Sequence, residues 1–172
     1  MTLAFHALHI FLMSNLCANI QKVLEPLSSC DVILTVGNTL RCDDGLGPFI
    51  ASSLESNDKL TVIDAGSNPE NVIEDIIKLN PKNILIIDAA DFGQKPGTVR
   101  LVDKENIPEK SLSTHTISLK VIAAILVQDT KAKINFLGIQ VKSIELGEGM
   151  CNEVKKAVID VVDEIKRRFY HA

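Results

Sequence analysis

Val32-Ile33-Leu34-Thr35-Val36-Gly37-Asn38-Thr39-Leu40-Arg41-Cys42-Asp43-Asp44-Gly45-Leu46-Gly47 is the stretch that decides the fold. Its first five residues form an unbroken run that reads as a strand covered on both faces. Its last residues lead into Pro48-Phe49-Ile50-Ala51-Ser52-Ser53-Leu54, which reads as the start of a helix. Between them lies a strand-to-helix loop with three glycines and two adjacent carboxylates. In open α/β sheets such loops stand at the carboxyl ends of the strands, where ligands bind. A glycine-rich loop usually suggests phosphate, but Asp43 and Asp44 would repel a phosphate and attract a cation.

Working outward, the pattern repeats. Asp31–Val36 is followed by a helix over about 44–56. Lys59–Asp64 is a second strand. Ser67 with Glu70 reads as a capping box that opens a helix running through Leu79 and stopping before Pro81. Asn83–Asp88 is a continuous apolar strand, Lys95-Pro96-Gly97 a turn, and Thr98–Val102 an alternating strand suited to an edge. A helix starts near Ser113–His115 and continues to Leu126. Lys133–Ile139 is the last strand, Gln140–Gly149 a solvated loop with Glu145 and Glu148, and Glu153–Tyr170 an amphipathic helix. Alternating strands and helices predict an α/β fold. It is a three-layer α/β/α sandwich around a mostly parallel five-stranded sheet with one antiparallel edge strand. Ser14–Leu27 reads as a short amphipathic helix, so residues 1–30 form an N-terminal extension and residues 31–172 a single domain.

Composition narrows the function. The net charge of -4 leaves no basic footprint for nucleic acid. Tryptophan is absent and there is one tyrosine, so base-stacking platforms are not expected. Cys17, Cys30, Cys42 and Cys151 form no CxxC pair, which disfavours a zinc ribbon and fits a reduced, cytoplasmic protein. Ala4–Met13 is apolar but broken by His6 and His9, and too short to span a bilayer. There is no GxGxxG, GxxxxGK[ST] or GxSxG, so dinucleotide, P-loop and serine-hydrolase readings lack their motifs.

What remains is a set of carboxylates at strand ends: Asp43 and Asp44 after strand one, Asp64 closing strand two, Asp88 closing strand three. If the three strands are parallel, all lie along one sheet edge, and His115 at a helix start could join them. Asp, Asp and His suit a divalent ion such as zinc or nickel, and a helix N-terminus favours the neutral imidazole a metal needs. Taken singly, each Asp is as readily a cap or turn residue, and Asp88 could equally organise the opening loop.

From about Asp31 to Arg168 the chain resembles the hydrogenase maturation proteases, and among them the branch serving hydrogenase 3 of formate hydrogenlyase. The resemblance is carried by Gly37–Gly47, Ile63-Asp64-Ala65-Gly66-Ser67-Asn68-Pro69-Glu70-Asn71, Ile87-Asp88-Ala89-Ala90-Asp91, Pro96-Gly97, Thr114-His115 and Phe136-Leu137-Gly138-Ile139-Gln140. It departs at Val141, where the family commonly has proline, and at Cys151-Asn152, where Ser-Pro or Thr-Pro often opens the last helix. Asn152 is still able to cap that helix. The resemblance implies an aspartic-type endopeptidase that trims a carboxy-terminal extension from the large-subunit precursor of a [NiFe] hydrogenase after nickel insertion. It implies Asp44, Asp64 and His115 as the metal-recognising set, with Asp44 and Asp64 also catalytic, and Asn38, Asp43 and Asp88 around them or on the substrate loop. Nickel then arrives within the substrate, and no organic cofactor or membrane span is expected. Three mechanisms stay open: attack by a metal-bound water, general-base action by a carboxylate such as Asp43, or nickel recognition alone. An assembly chaperone that binds the precursor without cutting it, and a nucleotide-binding module, are the competing readings. The apolar start reads either as a poor signal-like segment or as an upstream extension, Met1–Leu12, of a chain whose translation starts at Met13, and the choice between Met1 and Met13 stays open. Mass spectrometry of the native protein decides it: an intact Met1 would exclude the start at Met13.

Overall fold

The computed structural model describes Gln21, residues 31–103, Glu105 and residues 118–170. The expected helix over 14–27 and the boundary at residue 30 therefore fall outside the described residues, apart from Gln21. β1 (Val32–Thr35) is buried along its whole length, as its unbroken apolar run requires. It is flanked on both sides by parallel partners, β2 (Thr61–Asp64) and β3 (Asn83–Ala90). β5 (Lys133–Gln140) runs parallel to β3, and β4 (Val99–Asp103) pairs antiparallel at its outer side. The strand order β2-β1-β3-β5-β4 is the mostly parallel sheet with one antiparallel edge that the sequence predicts.

Alternation of side chains along each strand divides the core in two. Ile33, Leu85, Ile87 and Leu137 pack with α1 (Leu46–Ser53) and α4 (Asn152–Phe169), through Leu46, Ile50, Val154, Val158 and Val161. Val32, Leu34, Ile84, Ile86 and Phe136 pack with α2 (Ile73–Leu79) and α3 (Leu119–Thr130), through Ile76, Leu119, Ile122 and Leu126. The chain leaves β1 toward β2 on one side and returns past β1 to β3 on the other. With right-handed crossovers, that reversal puts α1 and α2 on opposite faces.

Several boundaries differ from expectation for local reasons. The helix expected from about Asp44 begins as a 3-10 turn, Cys42–Gly45, and becomes α-helical only at Leu46. The second helix likewise enters through a 3-10 turn, Pro69–Val72, with Asn68 rather than Ser67 in the N-cap position. α3 runs from Leu119, where the Ser118 side chain accepts the Lys120 N–H, and the start expected near 113–115 lies outside the described residues. In α4 the cap is Cys151, one residue ahead of Asn152. α2 ends where Asn80 turns left-handed at φ 46° just ahead of Pro81.

The loop after β1 depends on two close approaches. A Cβ on Gly47 would stand 2.0 Å from the Val36 carbonyl oxygen, so only glycine lets α1 sit directly on the end of β1. A Cβ on Gly37 would stand 2.1 Å from the Asp44 carbonyl oxygen, and Gly37 has φ +153°. Gly47→Ala is expected to destabilise the domain by at least about 2 kcal/mol, because backbone rather than a movable side chain blocks the new methyl. A urea unfolding curve checks this through a lowered midpoint with unchanged slope.

Candidate functional site

The site grows from the loop between β1 and α1. Asn38 folds this loop on itself: its side chain accepts the Leu40 N–H, its carbonyl accepts Arg41 N–H, and its own N–H donates to the Asp44 carbonyl. Gly37 N–H donates to Gly66 O at 2.9 Å, which ties the loop to the turn just after Asp64. Cys42 is held left-handed at φ 43°, an unfavourable conformation for a non-glycine residue. Tight turning at Cys42 sends the next two side chains, Asp43 and Asp44, inward, and each is 1% exposed.

Asp43 is buried because it is fully engaged. Its Oδ2 accepts Lys142 N–H at 2.8 Å and Ser143 N–H at 3.2 Å, and its Oδ1 accepts Cys151 N–H at 2.7 Å. The Cys151 thiol also donates to Oδ2 at 3.4 Å. Burial, followed by the neighbouring Asp43 carboxylate, pushes the Cys151 thiol pKa up. These contacts make Asp43 an anchor between the first loop and the start of α4. The same pair of loops is joined by a short parallel bridge, with Cys42 N–H on Gly147 O and Gly147 N–H on Leu40 O. The segment expected to be a solvated loop is thus partly a wall of the site. Gly147 and Gly149, both at positive φ, are the sequence signal for that.

Asp64 ends β2, whereas Asp88, expected to close its strand, lies two residues before the end of β3 at Ala90, and the two side chains fall on opposite faces of the sheet. Asp64 pairs in register with Thr35, and its Oδ1 accepts the Thr35 hydroxyl at 3.4 Å and Gly66 N–H at 3.0 Å. Both lie on the α1 and α4 face. Asp88, fully buried, continues the Ile84 and Ile86 row on the α2 and α3 face and accepts Ala89 N–H. β2 and β3 flank β1, which separates their axes by roughly 10 Å. The sheet edge therefore does not bring all the strand-end carboxylates together. Asp44 and Asp64 share the loop cluster stitched by Gly37 and Asn38, while Asp88 approaches from the other face. His115 lies outside the described residues. Among the described residues, no three His, Cys, Asp or Glu side chains form a metal-holding group.

A cavity of about 500 Å³ opens beside this cluster. Thr39, Cys42 and Gly45 line it from the first loop, Pro48, Phe49 and Ser52 from α1, Gly149 and Met150 from the loop before α4, and Asp64 from β2. Its size suits a ligand or a short peptide segment, and its walls are mainly apolar around one exposed carboxylate. The sequence reading did not single out Gln140. Its Oε1 accepts Phe92 and Gln94 N–H while its Nε2 donates to Asp91, so it shapes the loop after β3. The Gly93 amide, and then Gln140, hold the Asp91 carboxyl below its usual range. No described helix is long and apolar enough to cross a membrane.

Comparison with known proteins agrees with this architecture. A family model described as hydrogenase maturation protease matches residues 49–168. The hydrogenase 3 maturation protease of Escherichia coli K12 is 37% identical over 139 residues, covering 79% of this chain and 88% of that protein. The solution structure of the Escherichia coli endopeptidase HycI superposes with a TM-score of 0.71 at 35% identity, over 83% of this chain and 92% of that one. The crystal structure of the [NiFe] hydrogenase maturation protease HycI from Thermococcus kodakarensis superposes with a TM-score of 0.74 over 83% of this chain and 93% of that one. At 24% identity that likeness speaks for the fold.

The contrast between the buried and exposed carboxylates is measurable. Asp43→Ala strands three backbone amides and is expected to cost about 3 kcal/mol or more. Asp64→Asn, at an exposed position, is expected to change stability by roughly 0.5 kcal/mol or less. Paired urea denaturation of the two variants checks the difference.

Proposed function

The chain belongs to the hydrogenase maturation protease family, and from that membership we propose that it removes a carboxy-terminal extension from the large-subunit precursor of a [NiFe] hydrogenase once nickel is in place. Nickel is part of the substrate in this reading. Asp44, Asp64 and His115 recognise it, and Asp44 and Asp64 also stand near the scissile bond. The reaction takes place in the cytoplasm, in keeping with the free thiols of Cys42 and Cys151.

One observation carries the reading: the loop that holds Asp44 and the strand end that holds Asp64 open onto the same cavity, through Gly45 and Asp64. A protein that reads a metal already bound by its substrate needs few donors of its own, provided they are presented at an opening. Asp64 meets that condition, with Oδ1 engaged by Thr35 and Gly66 and the residue exposed at the cavity. A carboxylate so placed can accept a proton from an attacking water or orient it toward the peptide carbonyl. Asp44, from the buried side, adds negative charge where a cation is to be bound. Asp43 is committed to the amides of Lys142, Ser143 and Cys151, so the general-base role falls to Asp64 or Asp44.

The test is release of the tail from nickel-loaded precursor by purified protein. Asp44→Asn and Asp64→Asn are each expected to slow release by about 10²-fold or more, with the fold intact by circular dichroism. Full activity in both variants would overturn the assignment. Binding of the precursor without any release by the unaltered protein would favour the chaperone reading.

A further inference from the structure

β2 is an edge strand, and among the described residues its outer side is only half covered. Thr61 N–H donates inward to Asp31 O and Ala65 N–H inward to Thr35 O, which fixes the parity of the strand. Residues 61, 63 and 65 therefore face β1, and the backbone groups of Val62 and Asp64 face away from the sheet. The outer Val62 N–H is taken by the Ser56 hydroxyl at 2.9 Å, from the turn that Asn57 and Leu60 close. Beyond that point, among the described residues, nothing takes the Val62 carbonyl or the Asp64 N–H. Natural sheets cover, charge or shorten their edges, because unpaired backbone recruits another strand. Here the cover stops one residue short of the carboxylate that lines the cavity.

We propose that this open end of β2 is a strand-addition site for the tail of the substrate. One extended residue lies opposite Ile63, donates its N–H to the Val62 carbonyl and accepts the Asp64 N–H at its own carbonyl. This is the pairing of a parallel neighbour. The inference rests on the peptidase reading above and adds how the chain to be cut is held. Strand addition grips backbone in an extended form and places successive side chains on alternate faces. Side chains directed to the α1 face enter the cavity against Pro48, Phe49 and Met150, so the occupant carries an apolar residue there. The same register leaves the next peptide bond beside the Asp64 carboxylate. Main-chain pairing supplies the grip and the cavity supplies the selectivity.

Residue-resolved amide hydrogen exchange tests this on the full chain carrying Asp44→Asn, which slows release of the tail, at a precursor concentration at which gel filtration shows the variant fully in complex. The probes are nickel-loaded large-subunit precursor and the same subunit without its tail. With precursor, exchange at the Asp64 amide is expected to slow at least tenfold. The Val62 and Ile63 amides, already bonded to Ser56 and facing β1, change little. With the tailless subunit, Asp64 exchange stays as in the free protein. Unchanged exchange at Asp64 with precursor, while unaltered enzyme releases the tail, overturns strand addition and leaves the peptidase reading standing. Equal protection by the tailless subunit also overturns it, since the edge would then meet another part of the partner. Neither protection nor release overturns both.

Discussion

The carboxylate of Asp43 is the interaction on which the site depends. Three backbone amides from a segment about a hundred residues away converge on it, and the Cys151 thiol adds a fourth donor. A buried polar group is costly unless its hydrogen bonds are satisfied, and here both carboxylate oxygens are engaged. In return, Asp43 fixes the loop after β1 against the start of α4. The left-handed Cys42, the bridge to Gly147 and the burial of Asp44 all follow from that anchoring. Together with the backbone bridge between Cys42 and Gly147, Asp43 holds the wall carrying Gly149 and Met150 against the first loop.

The sheet supplies the other constraint. The order in which strands are added reverses at β1, from β2 on one side to the parallel β3 on the other, which opens a crevice at their carboxyl ends. Side-chain alternation then assigns each strand-end carboxylate to a face. Asp64 falls on the side of α1 and α4 and reaches the cavity, whereas Asp88 falls on the side of α2 and α3 and is buried. Two aspartates that look equivalent in sequence therefore meet different environments. One is available to a visiting chain and the other sits inside the layer.

Much of this was legible in advance. The apolar runs of β1 and β3 were readable because a strand covered on both faces is built mostly of apolar side chains, with Thr35 and Asp88 the buried polar exceptions near their carboxyl ends. The half-exposed pattern of β4 marked it as an edge. The three glycines with Asp43 and Asp44 marked the strand-to-helix loop, which borders the cavity through Thr39, Cys42 and Gly45. Less legible were the helix starts, which moved by a few residues because 3-10 turns intervene at Cys42–Gly45 and Pro69–Val72. The segment after Gln140 looked solvated because its partners are backbone groups and one carboxylate far away in sequence, and no local pattern records them.

Sequence alone determined the layers, the strand directions and the candidate residues, because periodicity and glycine placement are local properties that each segment carries with it. The role of each aspartate was decided only in the tertiary structure. Burial, hydrogen-bond partners and the face of the sheet depend on what the rest of the chain brings alongside. Asp43 became a scaffold because the amides of Lys142, Ser143 and Cys151 arrive there. Asp64 stays open because β2 lies at the edge of the sheet and the Ser56 turn stops short of it.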